Sequence, residues 1–125
     1  MDENECSKSI IGAAIEVPRV LGVGLLESAY ERAMAVELEQ RGIRAARQVL
    51  LPVTYKGVEL DEAYRIDLLV ENRVVVEIKA VLAFAPVHTA QLLTYLRLAD
   101  KRLGLLLNFH SESMRSGIKR VANNV

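Results

Sequence analysis

The stretch Leu103-Gly104-Leu105-Leu106-Leu107-Asn108-Phe109 is almost continuously apolar, with no alternation of dry and wet positions. A strand with one solvated face would alternate, so this pattern suits a strand buried on both faces, inside a sheet that is covered on either side. The segment before it reads as a helix from about Val87 to Ala99, opened by Pro86, because proline is well placed at a first helical position, where no N–H is needed. A helix leading into a buried strand can return that strand parallel to one earlier in the chain by a right-handed crossover.

The remaining periodicities supply the other elements. Ser7 to about Leu21 spaces Ile10, Ile11, Ala14 and Ile15 as a helical face, which Pro18 should kink or end. After the break at Gly22-Val23-Gly24, Leu25 to about Arg41 is a second helix with Leu26, Tyr30, Ala33, Met34 and Leu38 on one side and Gly42 as its stop. Gln48 to Tyr55, Glu59 to Val70 and Val74 to Val81 read as strands, split by turns at Lys56-Gly57 and at Glu71-Asn72-Arg73. From His110 onward the chain is polar, a loop with at most a short final element. The order is α-α-β-β-β-α-β, an α/β fold with a mixed central sheet flanked by helices.

A chain of 125 residues with no linker, repeat or low-complexity tract is expected to form a single domain over 1–125, with 1–6 and the last few residues loose. Trp is absent and aromatics are few, so the core must be aliphatic. Lys plus Arg equals Asp plus Glu at 16 each, which gives no global basic field to attract a polyanion; nucleic acid would need a local basic patch or a metal ion. The single cysteine, Cys6, excludes an intrachain disulfide and a cysteine-rich zinc site, in keeping with a reducing cytoplasm. No apolar run approaches the ~18–20 residues of a membrane span, and membrane association is not expected.

The charges that stand out lie around the turn at 71–73. Side chains alternate along a strand, so Val75, Glu77 and Lys79 share one face, as do Arg65, Asp67 and Leu69 on the strand before. A three-residue loop pairs Val70 with Val74 and sets Asp67 opposite Glu77 and Arg65 opposite Lys79, whereas a two-residue loop would send Glu77 to the other face. The three-residue loop keeps charge off the aliphatic face; it requires a left-handed residue, supplied by Asn72 or Arg73. Two facing carboxylates repel. Two readings of the group remain open: a salt-bridge cluster with Arg65 and Lys79, or a site where two carboxylates hold a hard divalent cation. The apolar runs Leu68-Leu69-Val70 and Val74-Val75-Val76 place these charges at the end of a buried hairpin, where charge is costly unless paired or metal-bound.

Asp67, nine intervening residues and then Glu77-Ile78-Lys79 resemble the D-x(n)-E-x-K signature of the PD-(D/E)XK nuclease superfamily. Gly24-Leu25-Leu26-Glu27-Ser28-Ala29-Tyr30 is similar to the G-x-x-E-x-x-Y motif of the GxxExxY family within it, and Gln91-Leu92-Leu93-Thr94-Tyr95 is similar to the Q-x-x-x-Y motif of RecB-like nucleases. The resemblance covers about Ile10 to Val121. It departs at Pro18, where relatives often have histidine, and at Val23, where proline is common.

The resemblance implies a restriction-endonuclease-like αβββαβ core preceded by one extra helix. It implies a nuclease that uses Mg²⁺ or Mn²⁺ to hydrolyse DNA or RNA. Metal ligands would be Asp67, Glu77, the backbone carbonyl of Ile78 and Glu27. Asp67, Glu77, Lys79 and Gln91 would be catalytic, and Gln91 and Tyr95 would bind substrate. The residues themselves allow plainer roles: Glu27 at the third position of a helix capped by Gly24, Tyr30 as a core residue with a hydrogen-bonding tip, His88 as a helix-start residue. Arg41, Arg44 and Arg47, and Arg115, Lys119 and Arg120, are two basic clusters that would either contact phosphate or simply be solvated. The alternative to an enzyme is a catalytically silent module of the same fold, acting as a nucleic-acid-binding or protein-interaction subunit; a homodimer is compatible with either.

Overall fold

The structure, a computed structural model, describes residues 1–124 and every side chain among them except that of Glu62. Two helices, α1 (Glu3–Leu21) and α2 (Glu27–Gln40), precede three strands, β1 (Ala45–Tyr55), β2 (Val58–Val70) and β3 (Val74–Lys79). Helix α3 (Pro86–Ala99) and strands β4 (Leu103–Asn108) and β5 (Ile118–Ala122) complete the chain. The five strands form one sheet in the order β1-β2-β3-β4-β5. Neighbours are antiparallel except β3 and β4, which run parallel as the crossover through α3 requires. The αβββαβ order with an added first helix is therefore present, and the final element of the tail is a strand that closes the far edge.

Two apolar layers bury the sheet. Ile10, Ala13, Ala14, Tyr30, Met34 and Leu38 of α1 and α2 pack on one face with Leu68, Val70, Val74, Val76, Ile78, Leu105 and Leu107. Leu92, Tyr95 and Leu96 of α3 pack on the other with Ile66, Val75, Leu106 and Val121. All six residues of β4 are buried, as its unbroken apolar run implied.

Local differences have local causes. Helix α1 starts at Glu3 because the Asp2 side chain accepts the Glu5 N–H, and Cys6 is fully buried, so part of the 1–6 segment belongs to the helix. The end of the expectation concerning Val125 lies outside the described residues. Pro18 stays within α1, one turn from its end, and the helix stops only at Gly22 (φ 77°), whose N–H reaches the Pro18 carbonyl.

The hairpin register is the expected one, Val70 with Val74, Leu69 with Val75 and Leu68 with Val76. The left-handed residues of its turn are Glu71 and Asn72, not Arg73, and the Arg73 N–H closes the turn on the Val70 carbonyl. Beyond Leu68 and Val76 the two strands part, so Arg65 does not face Lys79, which pairs instead with Asn108 of β4. Nor do Arg65 and Leu69 share a face. Leu69 and Ile66, three positions apart, both pack toward α3, while Leu68 packs toward α1 and α2. The strand turns over between Ile66 and Leu68, at Asp67.

Candidate active site

The parting of β2 from β3 makes a fork, and the acids lie in it. The Asp67 carboxylate takes over where the ladder stops: its Oδ2 accepts the Ile78 N–H at 2.7 Å, a bond a main-chain carbonyl would otherwise make. In return the Asp67 N–H donates to Glu77 Oε1 at 3.3 Å. Asp67 and Glu77 are thereby interlocked, each carboxylate tied at or beside the other residue, as the register argument required. Glu77 is 4 % exposed. Burial first, then the Asp67 charge, pushes its carboxyl up to about 9, with Lys79 pulling weakly the other way. A carboxyl this dry beside a second acid favours its protonated form or a bound cation. An all-oxygen donor pair of this kind fits a hard ion such as Mg²⁺ or Mn²⁺. Among the described residues no three His, Cys, Asp or Glu side chains stand close enough together to enclose a metal by themselves.

Lys79 is the last residue of β3 and half-buried. Its position is held from below: its carbonyl accepts the Phe109 N–H at 2.9 Å. Past it the chain is locked by Asn108, which is 3 % exposed, accepts the Val81 N–H at 3.1 Å and donates to the Val81 carbonyl at 2.8 Å. Asn108 went unnoticed in the sequence; the signal for it was a lone amide ending an otherwise aliphatic buried strand, a place where a polar group must be bonded.

Glu27 also reaches this end of β3. Its Oε2 accepts the Ala80 N–H at 3.0 Å. The helix-capping role is excluded: Leu26 is the N-cap, Glu27 is the first helical residue, and its carboxylate crosses to β3 instead of turning back on α2. Tyr30, fully buried, stacks on Phe109 at 4.6 Å between ring centroids. Its hydroxyl donates to the Gly22 carbonyl at 2.8 Å and accepts the Leu25 N–H at 3.2 Å. The G-x-x-E-x-x-Y residues thus act together: the tyrosine holds the glycine loop, and that loop starts α2 where its glutamate can meet β3.

From the opposite layer, α3 turns Tyr95 toward the fork. It is 6 % exposed, lies 5.8 Å from the Tyr64 ring of β2, and its hydroxyl is held above its usual pKa by burial and then by the charge of Glu77, Tyr64 and Asp67. Gln91 is half-buried one turn earlier on the same helical face. His88 starts the helix, its Nδ1 accepting the Ala85 N–H at 2.9 Å. Of the basic clusters, Arg41 is paired with Glu37 and Arg47 with Glu31, and Arg120 donates to Asn4. Arg44, Arg115 and Lys119 remain exposed.

Glu31 and Gln48 were not legible as part of this region. Glu31 is 5 % exposed and accepts from Arg47 Nη2 at 3.0 Å and from Gln48 Nε2. Burial raises its carboxyl above the ordinary range, opposed chiefly by the Gln48 hydrogen bond.

No helix is long and apolar enough to cross a membrane among the described residues. No curated protein matches the chain. The crystal structure of SSO0001 matches over 98 % of this chain, with a TM-score of 0.55 and 19 % identity, which is likeness of fold. This chain spans 60 % of that longer one. The family model of the PD-(D/E)XK nuclease superfamily matches residues 4–121, nearly the full length. With a mixed sheet of the restriction-endonuclease-like kind and an acid pair in the fork of its hairpin, the chain belongs to the PD-(D/E)XK nuclease superfamily.

Proposed function

We propose that the chain is a single-domain nuclease of the GxxExxY type that hydrolyses phosphodiester bonds of DNA or RNA with Mg²⁺ or Mn²⁺. The observation that carries this reading is the interlocked pair of Asp67 and Glu77 at the mouth of the β2–β3 fork, one of them nearly water-free. Asp67 and Glu77, with the Ile78 carbonyl and Glu27, would hold the ion. When bound, it supplies Lewis-acid polarisation of a phosphodiester and a water of lowered pKa. Lys79 orients the attacking water or stabilises charge gathering on the phosphate, from the strand end that Asn108 and Phe109 hold in place. Gln91 and Tyr95 approach from α3 and bind substrate beside the acids. With two of the arginines engaged in ion pairs and no net positive charge, attraction to the polyanion rests largely on the ion itself. A cytoplasmic protein fits this role.

Calorimetric titration with Mn²⁺, together with cleavage assays on labelled DNA and RNA, tests it. Binding and cleavage that Asp67→Ala abolishes, with the circular dichroism of the fold retained, is the expected result. A protein that binds no Mn²⁺ and leaves both nucleic acids intact is the silent module instead.

A further inference from the structure

Of the non-glycine residues with left-handed backbone, Lys56, Glu71 and Asn72 lie in turns and Asp100 ends α3; Gln48 (φ 52°) alone lies inside a strand among the described residues. That conformation costs a residue with a side chain about 1–3 kcal/mol and persists only where the surroundings impose it. The position is telling. Arg47 pairs with Leu68 and Val49 with Ile66, so Gln48 stands opposite Asp67. Across it β1 turns over: Arg47 reaches Glu31 on the α2 side, whereas Val49 packs toward α3. The inversion leaves the Gln48 side chain between the two acids of different elements. Its Nε2 donates to Glu31 Oε1 and faces Asp67 Oδ1 at 3.5 Å.

We propose that Gln48 is a positioning residue: anchored on the buried carboxylate of Glu31, its amide fixes the Asp67 carboxylate in the fork so that Asp67 and Glu77 can share one divalent cation. This rests on the metal-dependent reading above. An amide suits the task because it donates without adding charge beside two acids, and because Asp67 Oδ2 is already engaged by the Ile78 N–H. Arg47 neutralises the far oxygen of Glu31, so the anchor does not compete for the cation. Partners that orient a metal ligand typically change affinity 10–100-fold when removed.

The test is calorimetric Mn²⁺ binding to the full chain and to Gln48→Gly, well below the unfolding temperature. Glycine accepts the left-handed backbone and removes the whole side chain, the amide with it. Mn²⁺ affinity is expected to fall about 10–100-fold in a variant whose circular dichroism is unchanged. A residue needed only for stability would lower the unfolding midpoint and leave the affinity of the folded protein as it was. Affinity within twofold of wild type therefore overturns the role of Gln48 while the metal site stands. Absence of Mn²⁺ binding in the wild type overturns the metal site itself, and with it this proposal. Should Gln48→Gly not fold, Gln48→Asn keeps an amide and tolerates the backbone but is too short to span Glu31 and Asp67. A loss of about tenfold is expected there, and unchanged affinity again refutes the role.

Discussion

The buried acid Glu77 makes the metal-free protein sensitive to alkali. Its carboxyl moves from an ordinary value of 4.5 to about 9 on folding, chiefly because it is desolvated and lies beside Asp67. Between those values the folded chain keeps a proton that the unfolded chain has released, so stability is full below about pH 4.5 and declines as pH rises toward 9. One proton is worth about 1.4 kcal/mol per pH unit, so raising pH from 6 to 8 removes up to about 3 kcal/mol. For a domain of this size that lowers the thermal midpoint by roughly 10 °C. Glu77→Gln keeps the shape, and its amide oxygen still accepts the Asp67 N–H, but it has no proton to lose. Scanning calorimetry of both proteins in chelator at pH 6, 7 and 8 isolates this group from every other titration. Wild type should fall away from Glu77→Gln as pH rises, the variant becoming the more stable at pH 8. Added Mn²⁺ should reverse the trend in wild type only, since a cation that replaces the proton binds better at higher pH. Midpoints that move in parallel for the two proteins would refute the reasoning.

Other substitutions probe the frame around the fork. Tyr30→Phe keeps the stack on Phe109 but strands the Gly22 carbonyl and the Leu25 N–H; a loss of about 1–2 kcal/mol in urea denaturation is expected. Gly104→Ala brings a methyl group to 2.8 Å from the Cδ1 atom of buried Leu92. It should cost about 1–3 kcal/mol by forcing α3 outward, again read from the urea midpoint.

Much of the architecture was legible because it follows from local pattern. The three valines Val74-Val75-Val76 and the turn at 71–73 define a hairpin whose register decides whether Asp67 and Glu77 come to the same side, and the expected register is the one that forms. The run from Leu103 announced an interior strand, and Pro86 marked the start of α3. Alternation failed where the backbone itself departs from strand geometry. Nothing in the residue type of Gln48 signals a left-handed strand position, and the matching reversal of β2 at Asp67, which it faces, displaced Arg65 from the face assigned to it. The capping reading of Glu27 failed because a helix-start carboxylate has an adequate local partner in its own helix, whereas its actual partner, Ala80, is fifty-three positions away.

The sequence by itself determined that Asp67 and Glu77 would come near each other, because the register of the short hairpin carries both to the end of its ladder. It did not determine what their meeting would mean. That depended on layers contributed by distant segments, α3 above the sheet and α1 with α2 below it, which exclude water from Glu77 and bring Glu27, Glu31 and Gln48 to the same end of β2 and β3. Desolvation and long-range hydrogen bonds are properties of packed surroundings. They turn Glu77 from an ordinary acid into one that favours a proton or a bound ion beside Asp67.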